Sequence, residues 1–156
     1  MTTSAAALAA HPFTAGLPEP DLARLAECAE PVHLVAGHVV FREGEPAERF
    51  YLVQSGRVGL EVHATGRPAH LLTTLGPGDL LGASWLFPPY QWQFEAVVLD
   101  DVEALALDAV AVRAWCEADD GMGHRLVTRV AGALVKRLQA ARLRLLDLYG
   151  DRDGDV

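Results

Sequence analysis

The sequence predicts a mainly β fold, an antiparallel β-roll or jelly roll followed by a short helix and a long C-terminal helix. Two observations carry this prediction: short segments rich in valine and leucine end repeatedly at glycine-containing turns, and the last third of the chain has helical periodicity. At 156 residues, of which 51% are hydrophobic, the chain is long enough for one domain with a core and short for two.

The predicted strands follow one another through the middle of the chain. They are the segments 31–35, 39–42, 50–54, 57–63, 69–75, 94–98 and 102–107. Turns are expected between them at Ala36-Gly37, Ser55-Gly56, Thr65-Gly66-Arg67, Gly76-Pro77-Gly78 and Asp100-Asp101. Glycine is favoured where a hairpin needs a positive φ, so Gly37, Gly44, Gly56 and Gly78 are predicted to mark hairpin turns.

Helices are predicted on both sides of these strands. An amphipathic pattern over residues 21–29 indicates a short helix introduced by two prolines. Asp108 is expected to cap a helix over 109–118, and Asp119 or Asp120 a second one that runs to about Tyr149. The predicted organisation is a flexible N-terminus (1–12), a domain that includes the long helix (13–150) and a polar tail (151–156).

The net charge of −8 argues against general nucleic-acid binding, although the long helix is basic. We expect its cations to flank a dimer interface or to meet the acidic body of another subunit or of a partner. No apolar run reaches the length of a membrane span, and no secretory signal is recognisable. Cys28 and Cys116 are interpreted as core thiols, which favours a cytoplasmic location.

The long helix carries more apolar surface than one seam requires. Its apolar residues fall on two adjacent stripes, and the residues predicted to form a homodimer are Val127, Val130, Leu134, Leu138, Ala141 and Leu145. A monomeric surface helix is the alternative, and it would leave several leucines in water.

The run 36–45 (AGHVVFREGE), the residues Ala47, Tyr51, Val53, Gly56 and Val58, and the run 75–82 (LGPGDLLG) resemble the cyclic-nucleotide-binding domain family. This family includes bacterial catabolite-activator regulators and regulatory subunits of cyclic-AMP-dependent kinase. The resemblance covers about residues 12–149. It implies a regulatory domain without a cofactor. DNA binding in this family uses a helix-turn-helix after the long helix, and none is expected in a chain that ends at Val156.

The family's phosphate-binding cassette reads roughly Phe-Gly-Glu and later Arg-x-Ala, in which the Glu holds the ribose and the Arg holds the phosphate. In the matching segment 81–96, Ala83 falls on the Glu position. Phe94 falls on the Arg position, or Gln93 after a one-residue slip, and neither supplies a cation. Loss of a charge-assisted contact worth about 1.5–3 kcal/mol weakens binding about 10- to 100-fold, so cyclic AMP is not expected as the ligand.

The expected pocket residues, by their cassette positions, are Gly82, Ala83, Ser84, Trp85, Gln93, Phe94, Glu95 and Ala96. Five aromatic residues lie within ten positions here, Trp85, Phe87, Tyr90, Trp92 and Phe94. The rings either fill the pocket or leave room for a flat-ring ligand or a partner's side chain. We expect Trp85 to be core, and Tyr90 and Trp92 to contact a ligand or a partner.

Other sites are not expected. His33, His38, His63 and His70 lie in the β region without ligand spacing, which predicts no metal site. No catalytic motif is present, so no catalytic residues are assigned. The sequence therefore predicts a dimeric, non-enzymatic regulatory module that uses a ligand other than a cyclic nucleotide or contacts a partner protein. The alternatives are a cyclic-nucleotide sensor with atypical contacts and a structural dimeric adaptor with a filled pocket.

Overall fold

An antiparallel sheet with flanking helices makes up the part of the chain that the computed structural model describes, residues 3–63 and 65–154. The predicted fold class is confirmed. The elements in chain order are α1 (Thr3–Ala10), α2 (Glu19–Glu27), β1 (Ala29–Leu34), β2 (Val39–Phe41), β3 (Arg49–Val62), β4 (His70–Leu75), β5 (Leu80–Leu81), a 3₁₀ turn (Ser84–Leu86), β6 (Glu95–Asp108), α3 (Ala109–Ala118) and α4 (Asp120–Gly154).

Two long bent strands, β3 and β6, pair along their whole length and form the centre of the sheet. Strand β1 and strand β2 extend the sheet beside β6, whereas β4 and β5 pair with β3. Each long strand replaces two strands that the sequence predicts as separate. The predicted hairpin turns at Ser55-Gly56 and Asp100-Asp101 are therefore wrong, because these residues lie at register shifts inside continuous strands.

Gly56 shows why a turn residue stands in the middle of a strand. Its φ is +87°, and a Cβ at this position would lie 2.1 Å from the carbonyl oxygen of Asp101. Only glycine lets the two backbones approach so closely while the strand bends. Gly56 is therefore required for the close approach of β3 to β6 and not for a hairpin turn.

The helix α3 has the predicted bounds, and the carboxylate of Asp108 caps it by accepting the Ala111 N–H at 3.2 Å. The carboxylate of Asp119 accepts the Met122 N–H at 3.1 Å at the start of α4. Helix α4 continues to Gly154, beyond the predicted end near Tyr149, so residues 151–154 of the expected tail are helical. Residues 155 and 156 lie outside the described residues.

The N-terminal segment packs on the β-roll, so the predicted flexible N-terminus is wrong for residues 3–12; residues 1 and 2 lie outside the described part. Leu8 is fully buried. The buried imidazole of His11 donates from Nε2 to the Val53 carbonyl at 2.8 Å and accepts the Phe13 N–H at Nδ1 at 3.1 Å. Burial lowers the pKa of His11, which keeps this ring neutral and both hydrogen bonds in place.

Helix α4 lies on the body of the domain through its first half, where Leu126 and Val130 are buried. From Leu138 to Asp147 every side chain is exposed. Within the described residues, no helix is both long enough and apolar enough to span a lipid bilayer.

Most of the basic side chains of α4 contact the same chain, contrary to the expectation that they serve another subunit. Arg125 forms a bidentate ion pair with the buried Asp21, with N–O distances of 2.5 and 2.9 Å. Arg129 donates to the carbonyls of Phe13 and Ala15 at 3.0 and 2.7 Å. The basic face therefore attaches the helix to its own acidic body.

Candidate functional site

A cavity of about 310 Å³ lies between the segment 82–94, the β-roll and helix α4. This volume is at the lower end of the range for small-molecule sites, about 300–1,000 Å³. Rings, prolines and two glutamines dominate its wall. The lining residues are Phe41, Leu60, Gly82, Ala83, Ser84, Phe87, Pro88, Pro89, Gln91, Trp92, Gln93, Phe94, Leu134 and Arg137.

The segment 90–92 is fixed by backbone hydrogen bonds to the turn before β3. The N–H of Trp92 donates to the Glu45 carbonyl at 2.9 Å, and the Trp92 carbonyl accepts the Gly44 N–H at 2.8 Å. Pro46 pairs with Gln91 between these bonds. Because the chain is extended here, Trp92 alternates with its two exposed glutamine neighbours, as the sequence predicts.

The role of Trp92 differs from the prediction that it caps the pocket or faces a partner. Its ring is 5% exposed and stacks on Phe41 with 3.8 Å between centroids, so it forms part of the wall and does not cap the pocket. Gly82 makes room for this ring, because a Cβ at Gly82 would lie 2.6 Å from the Trp92 side chain. The positive φ of Gly82, +101°, is a second reason for glycine there.

Trp85 is a core residue, as expected, and it lies behind the cavity wall. Its ring is 1% exposed and stacks on Phe50 with 4.4 Å between centroids. Arg113 donates from Nη1 to the Trp85 carbonyl at 2.6 Å, and its guanidinium lies 4.0 Å from the centroid of the Tyr90 ring. Tyr90 is therefore held by a cation–π contact within the chain and does not line the cavity.

The remaining cassette residues lie in three different places: the cavity lining, the interior of the sheet and the end of the β3–β6 pair. Gly82, Ala83, Ser84, Gln93 and Phe94 line the cavity. Ala96 is fully buried in the sheet, where it is paired with Leu60. Glu95 lies away from the cavity lining, beside Glu61 and His63.

Among the described residues, Arg137 is the one charged residue that lines the cavity. The sequence analysis did not assign it to the site. Its Nη2 donates to the Leu80 carbonyl at 3.0 Å, whereas its buried Nε has no hydrogen-bond partner. Burial lowers the pKa of this guanidinium, and Asp79 partly offsets the effect. Within the described residues, no carboxylate comes within ion-pair distance of Arg137.

One sequence signal points to Arg137. It follows Leu134 by three positions, and residues at this spacing lie on the same face of a helix. Leu134 is half-buried against the cavity, so Arg137 is brought to the cavity as well. The sequence does not specify which face of α4 meets the β-roll, and this is why the cation was assigned to a subunit interface.

A second, larger groove of about 870 Å³ shares Phe41 and Trp92 with the cavity wall. Its lining is strongly acidic and includes the carboxylates of Glu27, Glu30, Glu45, Glu48 and Asp108. The smaller cavity combines several rings with one convergent cation, which is the composition expected of a small-molecule site. We therefore take the smaller cavity as the candidate site.

The β-roll, the loop that walls the cavity and the helix that closes it are the arrangement of one family of domains. The family model described as "Cyclic nucleotide-binding domain" matches residues 31–119, and the chain belongs to this family. The expected family is therefore confirmed.

Relatives share the fold over most of this chain. The "CRP-like cAMP-activated global transcriptional regulator" of Mycobacterium tuberculosis is 32% identical over 142 residues, which are 90% of this chain and 62% of that protein. A solved structure from Geobacter metallireducens, provisionally described as a cyclic nucleotide-binding protein, is 25% identical with a TM-score of 0.79, covering 88% of this chain and 99% of that one. The Thermus thermophilus catabolite activator protein is 28% identical with a TM-score of 0.65, covering 88% and 63%.

The two buried tryptophans provide a test of the cavity wall. Trp85→Ala and Trp92→Ala should each lower the free energy of unfolding by about 3–5 kcal/mol, as large core truncations do. Phe87→Ala is the matched control, because the Phe87 ring lines the same cavity but is 50% exposed, and it should cost much less. Chemical denaturation measures all three variants. A Trp92→Ala variant as stable as Phe87→Ala would show that Trp92 is a movable cap.

Proposed function

We propose that this chain is a non-enzymatic regulatory domain that binds a small molecule with a flat ring and an anionic group. The ring lies among the aromatic side chains of the cavity, and the anion pairs with Arg137. The proposed ligand is not a cyclic nucleotide. The observation that carries the proposal is the half-buried Arg137 guanidinium, whose Nε has no hydrogen-bond partner, in a cavity with aromatic walls.

A buried guanidinium without a carboxylate partner is costly, because protein dipoles replace its hydration only in part. Arg137 has one carbonyl acceptor at 3.0 Å, and its Nε is unsatisfied. A carboxylate, sulfonate or phosphate oxygen of a ligand would complete its hydrogen bonds and compensate its charge. Such charge-assisted contacts are the stronger class of hydrogen bond.

The composition of the cavity supports a binding role over a catalytic one. Its described lining contains one serine, two glutamines and one arginine, together with apolar residues, but no histidine, cysteine, aspartate or glutamate. General acid–base catalysis needs a titratable group within reach of the substrate. The volume of the cavity opposes the alternative of an adaptor with a filled pocket, because about 310 Å³ stays open.

We propose further that the chain is a homodimer through the outer face of α4. Leu138 is 70% exposed and Leu145 is 56% exposed, and they lie one heptad apart on the predicted stripe. Val127 and Ala141 are exposed on the same face. Val130 and Leu134 do not belong to this surface, because Val130 is 1% exposed and Leu134 lines the cavity.

A cytoplasmic setting is part of the proposal and is supported by the two free cysteines. Contact with a partner protein is the other output that we propose for the dimer. Direct DNA binding through α4 is not part of the proposal, because Arg125, Arg129 and Arg137 already donate to groups of their own chain.

A second candidate ligand is a cyclic nucleotide, which also combines a flat ring with an anion. The relative from Mycobacterium tuberculosis, named as a cAMP-activated regulator, favours it. Ala83 at the cassette position of the ribose-binding glutamate opposes it, because no carboxylate of the described lining is available for the ribose hydroxyl.

The ligand class is tested with a matched pair of probes, indole-3-acetate and its neutral analogue indole-3-acetamide, measured by titration calorimetry. The acetate should bind about 10- to 100-fold more tightly than the amide, because the Arg137 contact is worth about 1.5–3 kcal/mol. Arg137→Gln should remove this preference. Lys136→Gln should retain it, because Lys136 is the adjacent cation on α4 and lies outside the lining of this cavity.

Equal binding of the two probes to the wild type would contradict the role of Arg137. Cyclic AMP and cyclic GMP are titrated in the same way. A saturable one-site isotherm with a dissociation constant in the low micromolar range would favour the second candidate over the first.

The dimer is tested by light scattering on Leu138→Glu and on the control variant Leu143→Glu. Both leucines are exposed on α4, but Leu143 lies off the predicted stripe. Leu138→Glu should be monomeric, because a charge in an apolar seam is desolvated without a partner. Leu143→Glu should stay dimeric. A monomeric wild type at tens of micromolar contradicts the proposal.

A further inference from the structure

Three potential metal ligands meet where β3 ends and β6 begins. Glu61 is the penultimate residue of β3, His63 directly follows the strand, and Glu95 is the first residue of β6. One ligand atom from each, two carboxylate oxygens and an imidazole nitrogen, lie within 4.8 Å of one another. The sequence analysis predicted no metal site because His63 has no histidine partner or following glutamate at ligand spacing, and Glu95 is remote in sequence.

The strand register places two negative charges side by side. Glu61 and Glu95 are direct partners across the β3–β6 pair. Like charges at opposed positions destabilise a strand pair unless a cation or a proton compensates them. His63 Nε2 contacts Glu95 Oε2 and forms a first histidine–glutamate pair. Arg42 compensates the two carboxylates only in part, because its Nε lies 3.6 Å from Glu95 Oε1 and its side chain is 67% exposed.

We propose that Glu61, His63 and Glu95 form a binding site for a divalent transition-metal ion of the Zn²⁺ type. Zn²⁺ accepts imidazole nitrogen and carboxylate oxygen at about 2.0–2.2 Å, and sites with three protein ligands keep a fourth position for water. The two carboxylates balance the charge of the ion. The His63 side chain is 51% exposed, so the ion has access from solvent.

The donor set also predicts which ions do not bind. Ca²⁺ requires six to eight oxygen ligands, and Mg²⁺ requires a nearly octahedral oxygen shell. Two carboxylates and one imidazole satisfy neither ion. The site should therefore discriminate strongly in favour of Zn²⁺ over Ca²⁺ and Mg²⁺.

The sheet contains a second histidine–glutamate pair that serves as an internal control. His33 and Glu103 are partners across β1 and β6, and His33 Nδ1 lies 2.5 Å from Glu103 Oε1. Both side chains are exposed to a similar extent. Within the described residues, no second carboxylate or other donor completes a three-ligand group there. Comparing the two positions thus separates the effect of a histidine–glutamate pair from that of the three-ligand site.

The position of the site gives it a structural consequence. Glu95 directly follows Phe94, which lines the cavity. A metal ion bound to all three residues would fasten the end of the cavity segment to the end of β3. This inference does not depend on the identity of the cavity's ligand.

The experiment is a titration of the untagged, metal-free chain with ZnCl₂, followed by calorimetry, with CaCl₂ and MgCl₂ as comparison titrants. We expect one equivalent of Zn²⁺ per chain, and no binding of Ca²⁺ or Mg²⁺. Loss of an outer-shell partner already weakens metal binding about 10- to 100-fold, so His63→Ala and Glu95→Gln should each weaken it at least as much. His33→Ala should bind as the wild type does.

The absorption spectrum of the Co²⁺-substituted protein gives a second readout, and His63→Ala should abolish its ligand-field bands. Circular dichroism verifies that each variant is folded. Absence of saturable Zn²⁺ binding by the wild type would overturn the proposal. Equal affinities of His63→Ala and His33→Ala would overturn it as well.

Discussion

The attachment of α4 to the β-roll by arginine side chains is the interaction on which the geometry of the cavity depends. Arg125 holds the buried carboxylate of Asp21 through two hydrogen bonds, and the Asp21 partner raises the pKa of Arg125. Arg129, one turn later, donates to two backbone carbonyls of the N-terminal segment. These contacts fix the rotation of the helix, and that rotation brings Leu134 and Arg137 to the cavity.

The same helix carries the two proposed functions on adjacent faces of one turn. Arg137 faces the cavity, whereas the next residue, Leu138, is 70% exposed on the proposed dimer surface. In the proposed function, an anion bound to Arg137 stabilises the turn from which Leu138 projects. A cation on the helix instead of in the cassette would thus connect the proposed ligand directly to the element that carries the proposed subunit contact.

Local patterns in the sequence predicted the class of fold, the cap at Asp108, the bounds of α3 and the alternation around Trp92. They did not predict features that depend on contacts remote in sequence. Gly56 resembles a turn residue in the sequence, but glycine is needed there because the backbone of Asp101 lies too close to allow a side chain. The alanine-rich N-terminus has little periodicity, and its order depends on the hydrogen bond from His11 to Val53. Arg137 was missed because its role depends on the rotation of α4.

In the proposed function, the cavity holds an acidic aromatic molecule through Arg137. The most direct measurement is mass spectrometry of the small molecules extracted from the protein purified from its own host, for the wild type and for Arg137→Gln. We expect an acidic aromatic compound that is enriched with the wild type and lost from the variant. Recovery of cyclic AMP, or of the same compounds from both proteins, would contradict it.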